Sequence, residues 1–280
     1  MTGYKGDPFV LIAVKSLAEI VSVNFNSFGR TLAMAKVELV KRYSGSLLGI
    51  FWAIVRPMVF IAVYWFAIQI GLRGNQPVGD VPFLLWFLPG IICWFFISDA
   101  LTIGGSAIRS NSHLVTKMVY PVSTIPVFTV LSLYFVHLML VGVLVAIFIL
   151  SGYGLSLYFL EWFYYTACAL VFSLVVSLFL STLTAVSRDV GHMVKSVMTV
   201  LFWLTPIIWS VDSLTGIVKT IVMLNPVCYL VQGYRNAFVL ERWFFVEWQY
   251  TLYFWALMAA MTLLTSFLFA KLNKEFADIL

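Results

Sequence analysis

The chain has 280 residues, of which 62% are hydrophobic and only 10% charged, with a mean hydropathy of +1.00. Soluble domains carry roughly 25% charged and 45–50% apolar residues, so this surplus cannot be hidden in one aqueous core. The composition excludes a soluble enzyme or binding domain and leaves the net charge of +5 to be explained by a membrane.

Residues 1–46 read as a cytoplasmic N-terminal region, basic at Lys5, Lys15, Arg30, Lys36, Lys41 and Arg42. The apolar stretch from Phe9 to Val14 is cut short by Lys15, so no secretory signal is expected. Residues 30–43, RTLAMAKVELVKRY, read as an amphipathic interface helix. At 100° per residue, Arg30, Thr31, Glu38, Lys41 and Arg42 share one arc. Leu32, Ala33, Ala35, Val37, Leu39, Val40 and Tyr43 fill the rest of the circumference, interrupted only by Lys36. Glu38 and Arg42 stand one turn apart and can pair.

A membrane domain over 47–271 follows, and 272–280 is a cytoplasmic tail. A span needs about 20 apolar residues. Six candidates fit, at 47–70, 83–108, 122–150, 157–187, 193–209 and 248–271. Lipid offers the backbone no hydrogen-bond partner, so spans are helices or closed barrels. Runs this continuous lack the alternation of barrel strands; the expected fold class is all-α. Between the last two spans, 210–247 is too apolar for an ordinary loop. Asp212, Gly216, Asn225, Pro226, Gly233 and Glu241 break it too often for a lipid-facing span. A re-entrant helix pair, entered from outside, is expected there.

Lys and Arg set the orientation. One side holds the six N-terminal basic residues with Arg109, Lys117, Arg188, Lys195, Lys271 and Lys274. The other holds Arg73, Lys219, Arg235 and Arg242, and Arg56 falls inside a span. Both termini are therefore expected in the cytoplasm, with Arg188 and Asp189 pinning a tight turn. Cys93, Cys168, Cys228, His113, His137 and His192 are scattered and make neither a disulfide framework nor a metal site. No G-x-x-x-x-G-K-[ST] loop occurs, so nucleotide is not expected to bind here in that familiar way. Asp99 and Glu161 are too few carboxylates for an ion-coupled carrier or an intramembrane enzyme.

Intramembrane charge defaults to function or pairing, which singles out Arg56 and Asp99. Aromatic rings offer apolar faces to sugar or polyol chains, so Trp52, Trp86, Trp94, Trp203 and Trp209 join them as candidates for a substrate path. Trp162, Tyr164, Tyr165, Trp243 and Trp248 read instead as an interfacial aromatic belt.

Several blocks, in order, carry a resemblance: KRYSGSLLGIFWAIVRP (41–57), LPGIICWFFISDAL (88–101), NSHLVTKMVYPVSTIP (111–126), SRDVGHMV (187–194), FWLTPIIW (202–209) and NPVCYLVQGYR (225–235). Together the chain resembles the type-2 permeases of ATP-binding-cassette transporters that export polysaccharides and teichoic acids. The segment 64–87, YWFAIQIGLRGNQPVGDVPFLLWF, looks closest to teichoic-acid translocation permeases. Exporters of O-antigen or capsular polysaccharide share the other blocks and are the alternative. Arg56, before Pro57, departs from the uncharged position common in the family.

The resemblance implies a bacterial plasma-membrane protein, not an enzyme by itself and without a cofactor of its own. It would work as a homodimer with two copies of a separate ATPase that binds ATP and Mg, moving a polyprenyl-diphosphate-linked polymer outward. The loop 109–121 resembles the family's coupling segment. Asn111, as helix N-cap, with Leu114, Val115, Lys117, Tyr120 and Pro121, is expected to meet the ATPase, helped by Glu38, Arg42 and Tyr43.

Overall fold

In the computed structural model of the chain, residues 8–72, 76–116, 118, 120–273 and 276 are described. They form a helical bundle, with an isolated bridge between Val78 and Val81. Among the described residues six helices are long and apolar enough to cross a membrane: Phe9–Asn26, Gly49–Leu72, Phe83–Thr116, Thr124–Leu150, Leu157–Val186 and Trp248–Leu272. The last five match spans read from the sequence.

The first does not, and it corrects the reading that Lys15 ends the apolar stretch. Helix α1 (Phe9–Asn26) continues through Lys15 because its charges share a strip. Lys15, Glu19, Ser22 and Asn26 are exposed along one side, Val10, Val14, Val21 and Phe25 along another, and Ile12, Ala13 and Ser16 are buried on the third. Length would let α1 cross a bilayer, but its contacts hold both ends at one end of the bundle. The Phe9 ring lies 4.5 Å from Phe267, near the close of α12 (Trp248–Leu272). Ile20 packs in a cluster with Phe269 and Leu114, and the Asn24 amide reaches Ser123 Oγ at 3.5 Å, just before α7 (Thr124–Leu150). The end where α7 begins and α12 finishes is called proximal below, and the opposite end distal.

Helix α2 (Phe28–Tyr43) is the amphipathic segment and lies along α7, burying Thr31, Ala35 and Leu39. After a 3-10 turn, α3 (Trp52–Trp65) runs distally and ends in a π-helical stretch, Phe66–Leu72. Helix α4 (Phe83–Thr102) returns through the middle of the bundle, followed by the short helices α5 (Ala107–Ser110) and α6 (Ser112–Thr116). Helices α7 and α8 (Glu161–Val186) complete the core.

Small side chains let α4 and α8 approach closely, as lipid-embedded packing requires. A Cβ on Gly104 would stand 2.8 Å from Ser177 Oγ. Ser177 donates to the Ala100 carbonyl at 2.7 Å, and Ser181 accepts from Ile108 N at 2.9 Å. Such interhelical bonds average about 0.6 kcal/mol each, so they fix register more than they supply stability.

The span expected at 193–209 is corrected. Helix α9 covers Arg188–Leu204 and stops there. Pro206 disfavours helical geometry at Thr205, which is extended at φ −85°, ψ 136°. Val194, Met198 and Phe202 face inward at helical spacing, while Met193, Val197, Val200, Trp203 and Leu204 remain exposed. Arg188 and Asp189 open this helix directly after Ser187.

The segment 210–247 folds as two helices, α10 (Gly216–Met223) and α11 (Pro226–Arg235), the latter extended by a π turn to Leu240. They meet at a 91° bend. Asn225 caps α11, accepting from Val227 N at 3.0 Å, while Pro226 fits the first helical turn. Both ends stay distal: the Leu224 carbonyl accepts from Tyr253 Oη, early in α12, and Phe238 packs on Phe148, late in α7. This is the re-entrant pair expected from the sequence.

Candidate functional site: two adjoining cavities beside helix α3

The proximal halves of α3, α4 and α7 and the end of α2 enclose a cavity of about 430 Å³. Its polar lining includes Arg42, Tyr43, Ser44, Ser46, Arg56, Asp99 and His137. Trp52, Phe60, Phe95 and Phe96 supply the apolar part. Pro57 also lines it, and its missing N–H removes the helical partner of the Ala53 carbonyl at the same wall. Arg42 is held by two weak partners. Its Nη2 lies 3.3 Å from Ser132 Oγ and 3.7 Å from Glu38 Oε1, while Nη1 is buried with no hydrogen-bond partner among the described residues. Burial raises the Tyr43 phenol above its ordinary range, so it stays a neutral donor.

Phe60 and Phe95 also border a second cavity, of about 460 Å³, against α9. Trp94, Trp203, Tyr64, Phe202 and Lys195 line it. Trp94 is buried with its ring 5.6 Å from Phe202, whereas Trp203 is 59% exposed and stands at the rim. Of the seven path candidates, the structure therefore brings Trp52, Arg56 and Asp99 into one cavity and Trp94 and Trp203 into its neighbour.

Trp86 and Trp209 do not line either. Trp209, after the end of α9, donates its Nε1–H to the Trp203 carbonyl at 3.2 Å. Trp86 is core: the Arg235 guanidinium lies 3.6 Å above its ring. Arg235 corrects the reading of it as an outer-side charge. It is fully buried, donating to the carbonyls of Trp86, Pro206 and Ile207 and to Gln232 Oε1. It thus ties α11 to α4 and to the turn that ends α9. Gly90 leaves room for it, since a Cβ there would stand 3.0 Å from Nη2.

Next to Arg235, Tyr234 Oη bonds His137 Nε2 at 2.7 Å and Thr166 Oγ1 at 2.8 Å. This network links the re-entrant pair to the cavity floor. An intramembrane His calls for a partner, but sequence alone shows His137 as isolated because that partner sits 97 residues away.

The expected aromatic belt is partly core. Tyr165 is 2% exposed and packs flat against Gly233, where an added Cβ would overlap its ring. Tyr164, Tyr229, Thr251 and Trp255 instead form a distal hydrogen-bonded group. Trp243 lies against Tyr158, and Trp248 is exposed.

The coupling candidates divide. Leu114 is buried in the proximal cluster, with Val115 and Tyr120 packed on it, so these three anchor the segment rather than present it. The side chains turned outward are His113, Thr116 and Met118. The Asn111 amide donates to the Ala107 carbonyl at 3.1 Å as α5 closes, and the Asn111 carbonyl accepts from Leu114 N at 2.9 Å as α6 begins. The Pro121 carbonyl accepts from Thr124 as α7 starts. Lys117 lies outside the described residues. Glu38 pairs with Arg42 as expected, but Arg42 and Tyr43 turn into the cavity and not toward a docking face.

The profile of the ABC-2 type transporter family matches residues 30–239. The chain belongs to that family. It is a membrane permease subunit of an ABC transporter, not itself the catalytic one. The O-antigen export system permease protein RfbA of Klebsiella pneumoniae is 25% identical to it, across 90% of this chain and 95% of that protein. The protein of the same name from Myxococcus xanthus is 24% identical, across 76% of this chain and 82% of that protein. These relatives lend no support to a teichoic-acid permease. Helices α1 and α12 lie outside the matched range and pack against each other.

Proposed function

We propose that this permease exports a polyprenyl-linked polysaccharide of the O-antigen kind from the cytoplasmic to the outer face of the plasma membrane. The observation that carries this is its likeness, over nearly the full length, to O-antigen export permeases. Adjoining cavities lined by charged and aromatic side chains support it, because a polar glycan cannot cross hydrocarbon unaided. The proximal end is cytoplasmic in this reading, consistent with the excess of Lys and Arg there.

Energy comes from a separate ABC ATPase that binds ATP and Mg, docking on the outward side of α6 at His113 and Thr116 and on Met118 just after it. Two copies of the permease enclose the path. The uncovered faces of α3 and α9, rich in apolar side chains such as Val59, Val63, Val197 and Val200, favour such pairing.

The test is reconstitution in vesicles with an ABC ATPase from the same organism that co-purifies with the permease, offering a neutral lipid-linked glycan and a polyol-phosphate polymer on the same lipid. ATP-dependent delivery of the glycan in preference is expected. Delivery of the polyol phosphate alone would restore the teichoic-acid reading.

A further inference from the structure

We propose that the cavity between α2, α3, α4 and α7 binds the sugar–diphosphate head of a lipid-linked glycan, with Arg42 and Arg56 on the phosphates and Asp99 on a sugar hydroxyl. This rests on the export reading for the identity of the lipid, and the cavity chemistry supplies the rest.

Charged side chains among spans are costly and ordinarily paired. Here two guanidinium groups and a carboxylate line one cavity, yet the ion pair formed there among the described residues is Arg42 with Glu38, at a loose 3.7 Å. Arg42 Nη1 is buried and has no acceptor among the described residues. An unsatisfied buried donor on a charged group is costly, and an incoming oxyanion supplies the acceptor it lacks. Guanidinium forks match phosphate oxygens two at a time. Asp99 lowers the net charge of the cavity without cancelling it. A carboxylate has no donor of its own, so beside bound phosphate it can accept a hydrogen bond from a sugar hydroxyl.

Size and surroundings agree. About 430 Å³ falls within the range of small-molecule pockets, roughly 300–1,000 Å³. Trp52, Phe60, Phe95 and Phe96 offer ring faces to the first sugar or the first isoprene unit. Helix α3 forms the outer wall and is covered on few sides, with Val59, Val63 and Phe66 exposed. A prenyl tail can therefore stay in lipid while the head sits behind α3. The second cavity, reached across Phe60 and Phe95, is where the following sugars would lie.

Binding is measured on the full chain in nanodiscs of zwitterionic lipid. The probes are a short prenyl diphosphate carrying one N-acetylhexosamine, the bare prenyl diphosphate, the neutral prenyl glycoside and inorganic pyrophosphate. Arg42→Ala and Arg56→Ala should each weaken the glycosylated diphosphate about 10-fold or more, as loss of a charged hydrogen bond does. The neutral glycoside should be unaffected. Asp99→Asn should weaken the glycosylated but not the bare diphosphate. The double lysine variant, which keeps both charges, should recover part of the affinity, and Arg188→Ala should change nothing.

Unchanged binding by both the double alanine and the double lysine variants would overturn the site. Equal binding of inorganic pyrophosphate would replace the lipid head with a free anion. Normal ATP-driven export by an arginine variant whose probe binding is also normal rejects the site and leaves the export reading standing. Arginine-dependent binding without export of any lipid-linked glycan rejects the export reading and leaves the site.

Discussion

Two consecutive spans of the bundle, Gly49–Leu72 and Phe83–Thr116, have the same mean hydropathy, 1.8, and opposite surroundings. Across the windows compared, 78% of the span Phe83–Thr116 is buried and only 11% of Gly49–Leu72. Hydropathy reports that a helix enters lipid, and it is silent about what the helix touches once there. What separates the two is chemistry at the contacts. Helix α4 and the glycines after it meet Ser177, Ser181 and Arg235 at close range, while α3 stands at the edge, with cavities holding Arg56, Asp99 and Trp94 behind it. Close contacts therefore pin α4 near both of its ends, while the flank beside α3 leaves open space.

The sharpest way to break this contrast is to empty the dense region. Arg235→Ala strips donors from three buried carbonyls and removes the cation above Trp86. It should destabilise the fold by about 3–5 kcal/mol, the usual cost of breaking a buried charged arrangement, read as loss of the folded species in detergent denaturation. Gly233→Ala places a methyl group in the Tyr165 ring and should cost about 1–3 kcal/mol by overpacking, measured in the same way. At the other extreme, Val63→Ala on the exposed side of α3 should change the stability of the single chain by less than about 0.5 kcal/mol. A large loss there would show that α3 is as firmly packed as α4.

Legibility follows the same division. The five matching spans, the amphipathic helix α2 and the re-entrant pair were readable because each depends on local composition: apolar length, a polar arc, and turn residues such as Asn225 and Pro226. Helix α1 was missed because Lys15 looked like an end, when a polar strip with Glu19 and Ser22 can absorb it. The end of α9 was placed at 209, although Pro206 already argued for a stop at Leu204.

Among the site candidates, Arg56 and Asp99 stood out as intramembrane charges and do share a cavity. The roles of Trp86, Arg235, Leu114 and His137 depend on partners far away in the chain, which no local pattern encodes. Arg42, by its place at the end of the amphipathic helix, reads from sequence as a docking residue. Only the course of α2 along α7 shows that it turns inward.

The most direct measurement takes Arg56→Ala with its ATPase into vesicles and records thermal unfolding and ATP-driven glycan export on the same preparation. The account expects unfolding within about 0.5 kcal/mol of the parent, as for an exposed substitution, together with export reduced about 10-fold. Full export, or a loss of export explained by an equally large loss of folded protein, would contradict it.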